Sequence, residues 1–115
     1  MKDMTYSQLS GLIDIKDKQV FAYFTTALNQ HGKEKMALIQ SLTDQYASDM
    51  AKNFIAAHKD FFAKEENKAL AYEKIKSLGA DKPHSGRRFS EFLYKHLKSG
   101  ITLESVEVEE EEEKA

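Results

Sequence analysis

The stretch TYSQLSGLIDIKDKQVFAYFTTALNQHG, Thr5 to Gly32, decides how the rest of the chain is read. Thr5 with Gln8 three residues on fits a capping box, in which each side chain accepts the other residue's backbone N–H. Leu9, Leu12 and Ile13 then fall on one helical stripe. Asp14 stands where a corner would fall, and Asp17 favours the start of a second helix through its dipole. Val20, Phe21, Phe24, Ala27 and Leu28 line one face of that helix, and His31-Gly32 closes it. The segment reads as two short helices joined at Asp14.

Beyond it, Lys33 to Leu78 contains neither glycine nor proline and is rich in strong helix formers. Ile39, Leu42, Tyr46, Met50, Phe54, Ala57 and Phe61 recur at three- and four-residue steps, giving one apolar face. One helix over that whole stretch would be about 69 Å long, more than a small domain can bury. A break is expected near His58–Asp60, with Asp60 as N-cap. Pro83 and Gly86 make a loop, and Ser85 or Ser90 can cap the helix that follows. There Phe89, Phe92, Leu93 and Leu97 share a stripe ended by Gly100. The last residues, ITLESVEVEEEEEKA, end in five consecutive Glu that repel one another and read as disordered. The expected fold is all-α: a small bundle of about five helices in one domain, residues 1–103, followed by an acidic tail, residues 104–115.

The net charge of −2 hides an asymmetry. Residues 101–115 carry −6, which leaves +4 on residues 1–100, and +3 of that falls in residues 79–100. There is no cysteine, which removes disulfides, thiolate metal sites and thiol nucleophiles. No apolar run resembles a signal peptide or a membrane span, so a soluble, cytoplasmic protein without membrane contact is expected.

Leu9, Ser10, Asp14, Ile15 and Val20 follow an ordered pattern: apolar, small, turn, apolar and β-branched anchor. In this spacing Thr5–Gly32 resembles the DNA-reading unit of winged-helix and related helix-turn-helix regulators. The resemblance implies an N-terminal helix-turn-helix-like hairpin whose second helix, Lys16 to Asn29, enters a major groove. Lys16, Lys18, Gln19, Ala22 and Thr26 would then face bases and phosphates. The segment departs from the pattern in having Asp14 at the usual glycine position, no Arg in the reading helix and no β-hairpin wing after Gly32. The same apolar spacing also describes an ordinary helical hairpin, and both readings stand at this point.

Lys82, His84, Arg87, Arg88, Lys95, His96 and Lys98 interleave with Phe89, Phe92 and Tyr94. Lys82, Arg87, Arg88, Lys95 and Lys98 are candidates for holding phosphates, or else form the solvated face of an amphipathic helix. Arginine at a helix start opposes the dipole, so Arg87 and Arg88 call for an anionic partner. His31, His58, His84 and His96 share no ligand spacing, and no nucleophile, P-loop or dinucleotide motif is present. No metal, cofactor or catalytic residue is expected. The first functional expectation is a small, non-enzymatic DNA-binding regulator using the N-terminal hairpin and the basic C-terminal helix. The alternative is a helical protein-interaction module, an adaptor or inhibitor. It would use the apolar faces of residues 36–62, which also offer a homodimer contact, and its acidic tail could imitate DNA.

Overall fold

The computed structural model describes residues 4–82 and 86–99. They form an all-α bundle of five helices: α1 (Tyr6–His31), α2 (Met36–Ala57), α3 (Lys59–Phe62), α4 (Glu65–Ser77) and α5 (Arg88–Lys98). A short 3₁₀ turn, Lys33–Lys35, precedes α2, and there is no strand among the described residues. The tail, Ser85 and Gly100 lie outside the described residues.

Several local signals act as read. Thr5 and Gln8 close the capping box, with Gln8 N–H donating to Thr5 Oγ1 at 3.1 Å and Thr5 N–H to Gln8 Oε1 at 2.9 Å. The long central stretch breaks at His58, between α2 and α3. Asp60, however, falls inside the first turn of α3 and does not cap it. Phe89, Leu93 and Leu97 are buried along α5.

The corner expected at Asp14 does not form: α1 runs unbroken through it for 26 residues, about 39 Å. A corner would need the Asp14 carboxylate to turn back on its own backbone. It is held instead by Lys74 Nζ at 3.0 Å from α4 and by Arg87 Nη1 at 3.7 Å from the residue before α5. The N-terminal hairpin therefore turns one element later, at Gly32, and its arms are α1 and α2. Gly32 has φ +84°, a backbone conformation that favours glycine, while the Glu34 carboxylate beside it could swing away from a Cβ.

The core gathers around Leu9, Ile13, Phe54, Ile75, Phe89 and Leu93. Phe54 packs edge-on to Phe89 with ring centroids 5.5 Å apart. On α2 the buried residues are Ile39, Thr43, Ala47, Ala51, Phe54 and Ile55; of the line read in the sequence Ile39, Phe54 and Phe61 are buried, whereas Thr43, Ala47 and Ala51 take the places expected of Leu42, Tyr46 and Met50. These small residues let α5 cross α2 closely, and the Thr43 hydroxyl, buried, donates to the Ile39 carbonyl at 2.7 Å.

The unbroken α1 makes a direct expectation. Ile15 is 51% exposed and sits where proline would be accepted just after a corner. In a continuous helix Ile15→Pro should cost about 3 kcal/mol or more, and Ile15→Ala little. Urea unfolding followed by circular dichroism reads the difference; equal cost for both variants would restore the corner.

Candidate interaction surface on the helical hairpin

The sequence-read cations of the C-terminal segment face acids of the same chain. Arg87 Nη1 lies 3.7 Å from both Asp14 and Asp17. Arg88 reaches Asp44 at 3.2 Å through Nε and Glu91 at 3.1 Å through Nη1, and Lys95 pairs with Glu91 at 3.2 Å. Lys98 stands over the Tyr72 and Tyr94 rings at 5.4 and 5.8 Å. Lys82 is exposed in the turn after α4.

Of the α1 candidates, Lys18, Gln19, Ala22 and Thr26 are exposed. Lys16 is half-buried in a groove with Leu12, Tyr46, Met50 and His58. There, partial burial and the nearby Lys16 ammonium lower the proton affinity of His58. One candidate set lies along α1, while Arg87, Arg88 and Lys95 of the other face acids of α1, α2 and α5.

Asp17 is where these contacts converge. It is buried in the middle of α1, and its Oδ1 accepts the Ser90 N–H at 3.1 Å while Oδ2 accepts the Ser90 hydroxyl at 2.5 Å. Ser90 is the third helical residue of α5, whose N-cap, Arg87, makes no side-chain capping bond. Asp17 therefore caps α5 from across the fold. The sequence reading placed Asp17 at the start of a second helix of the N-terminal hairpin; no helix starts there, and the helix it caps is α5, with Ser90 73 residues later in the chain. Burial pushes its carboxyl above the ordinary carboxylate range, against the lowering effects of the two Ser90 bonds and of Arg87.

Beyond Asp17 on α1 and Asp44 on α2, α5 no longer covers the hairpin. Ala27 and Ile39 are buried between the two helices there, yet stand apart from the main core cluster. Phe21, Phe24 and Leu28 follow Asp17 at steps of four, three and four, so they continue along the side of α1 that α5 covers lower down. Phe21 is 62% exposed; the sequence reading had placed it on the covered face. Where the cover stops, a cleft of about 200 Å³ opens between Val20, Phe21, Phe24, Gln40, Asp44 and Arg88. In it Asp44 Oδ1 is buried without a hydrogen bond, since Arg88 Nε, though 3.2 Å away, is out of line for one.

The signal that could have found this surface is charge depletion. Residues 19–30 and 36–43 contain no Asp, Glu, Lys or Arg, in a chain that is 31% charged. Exposed Ile15 and Leu38 lie singly elsewhere and need no special account.

No protein-family model, curated protein or solved structure matches the chain. Among the described residues no cluster of His, Asp or Glu could hold a metal ion, and no helix is long and apolar enough to cross a membrane.

The Asp17 assignment fixes a pH dependence. Its carboxyl holds a proton at higher pH in the folded chain than in the unfolded one, so the folded state binds more protons between those two values. Stability from this group falls as pH rises through that window. Asp17→Asn keeps one acceptor for Ser90 N–H and removes the titration. Urea unfolding from about pH 4 to pH 7 should show the wild type losing stability relative to Asp17→Asn as pH rises. The opposite slope would mean that Ser90 and Arg87 outweigh burial.

Proposed function

We infer that this chain is a non-enzymatic helical protein-interaction module whose docking surface is the uncovered groove of the α1–α2 hairpin. One observation carries the reading: Phe21, largely exposed, stands beside a cleft that the described helices leave open, apolar along α1 and bounded by the Asp44–Arg88 ion pair at its edge. Interface centres are depleted of charge and anchored by aromatic side chains, and this face has both properties.

A photo-crosslinking residue at Gln40, exposed on the cleft wall, is expected to capture protein through a Phe21-dependent contact. The same residue at Lys76, exposed on α4, should not. Absence of adducts from Gln40, or adducts unchanged by Phe21→Lys, would overturn the reading.

The DNA-binding reading keeps one support, the exposed line of Lys18, Gln19, Ala22 and Thr26 along α1. On the interaction reading, duplex DNA binds weakly even at low salt. DNA docking would show instead as affinity falling steeply with salt, by about 0.9 per neutralised phosphate on logarithmic axes, and lost in Lys16→Ala with Lys18→Ala. Replacing Arg87 and Arg88 is less informative, because both hold α5 to the hairpin.

A further inference from the structure

We propose that a second groove, on the other flank of the hairpin, binds a small amphiphilic carboxylate whose acid head sits between Lys16 and His58. Lys16 lies about 140° around α1 from Phe21, and the two openings share no lining residue. The proposal therefore goes beyond the interaction reading and does not depend on it.

The groove runs between α1 and α2 and holds about 630 Å³, a size typical of small-molecule sites. Its apolar lining is Leu12, Tyr46, Met50 and Phe54, at the margin of the core. Two of its rings are held by neighbours: Tyr46 stacks on Tyr23 with centroids 4.4 Å apart, and Phe54 packs against the His58 ring at 4.7 Å. The lining is thus in place before a ligand arrives, which keeps the ordering cost of binding low.

Charge selects the ligand. Lys16 comes from α1 and His58 from the end of α2; both are half-buried. They are close enough that the Lys16 ammonium disfavours the imidazolium form of His58. Among the described residues neither is paired with an acid. Asp49, the acid of this groove, precedes His58 by nine residues, about 13.5 Å along a helix. Its carboxylate accepts from Gln45 Nε2 at 3.0 and 3.1 Å. Lys59 and Asp60, beside His58 in the chain, are exposed and do not line the groove.

One end of the groove therefore gathers N–H donors and positive charge with no counterion, and an apolar floor leads away from it. A carboxylate on an aliphatic or aromatic body matches that order: its oxygens accept from Lys16 Nζ and the His58 ring, and its body covers Leu12 and Met50. A ligand of about ten non-hydrogen atoms then binds weakly, with a dissociation constant on the order of millimolar.

Titration of the full chain with sodium octanoate, followed by NMR of the backbone amides and the His58 ring, tests this. Saturable shifts are expected at Lys16, Met50 and His58. Octylammonium should bind at least about fivefold more weakly, and acetate should give no saturable shift at Met50. Lys16→Met should weaken octanoate at least about fivefold, whereas Lys18→Met, exposed and outside the groove, should not. The wild-type chain gives a further readout that needs no variant to fold. A carboxylate seated beside His58 favours its imidazolium form, so the ring should titrate at higher pH with octanoate bound. Each of the following overturns the proposal: no saturable shift up to about 20 mM octanoate, equal binding of octylammonium, an equal response to acetate, a folded Lys16→Met that binds like the wild type, or a His58 titration that octanoate does not move.

Discussion

The hydrogen bonds from Ser90 to Asp17 set where α5 begins, and much of the molecule's character follows from that point. A carboxylate buried in the middle of a helix is costly, by several kcal/mol if unpaired. Here two donors and the Arg87 guanidinium meet it, and hydrogen bonds to a charged group contribute roughly 1.5–3 kcal/mol each. The same contact supplies α5 with the cap its own sequence lacks. One residue thereby joins helix initiation to tertiary packing, and α5 is positioned on the hairpin by its first turn rather than by its apolar stripe alone. A stripe of Phe89, Leu93 and Leu97 could slide by a turn with modest loss; a buried acid with a fixed donor pair cannot.

Length then decides what remains open. α1 is about 39 Å long, whereas α5, with 11 residues, covers about 16 Å. Anchored at Asp17, α5 runs away from the turn at Gly32, and α3 and α4 join it at the same end around Phe61, Phe62 and Ile75. Toward the turn the described helices are α1 and α2 alone, with Ala27 and Ile39 buried there outside the main core cluster. Two isolated helices bury little apolar surface, so this end is the part of the chain that gains most from a further layer.

Legibility in the sequence followed the range of the interactions. The capping box at Thr5 and Gln8, the α5 stripe and the break at His58 are local, and were readable. The corner at Asp14 was misread because Asp favours turns when its carboxylate is free, and this one is held by Lys74, 60 residues away. Asp17 was misread as supporting the start of a second N-terminal helix; it lies in the middle of α1 and meets the start of α5 instead, a contact that its neighbours in the sequence do not reveal. Periodicity likewise put Phe21 with Val20 and Phe24 on one apolar face, yet Val20 and Phe21 stand about 100° apart around α1, and Val20 is buried while Phe21 is exposed. It cannot say which part of a face is covered, because the cover comes from the other end of the chain. The one local trace of the open groove was the absence of charge from residues 19–30 and 36–43.

The basic segment illustrates the same point from the side of electrostatics. Two arginines at the start of a helix oppose its dipole, and in the sequence they read as charges awaiting an outside anion. The fold supplies the anions itself: Asp14 and Asp17 for Arg87, Asp44 and Glu91 for Arg88. A net charge counted along residues 79–100 therefore overstates the field that a nucleic acid would meet, since acids from α1 and α2 are interleaved with it in space. The molecule is divided across its long direction. One end is ion-paired around α5 and fixed in register by buried polar contacts. The other has no charged side chain along residues 19–30 and 36–43, with Lys33, Glu34 and Lys35 gathered at its turn, and it leaves Phe21 exposed beside the cleft.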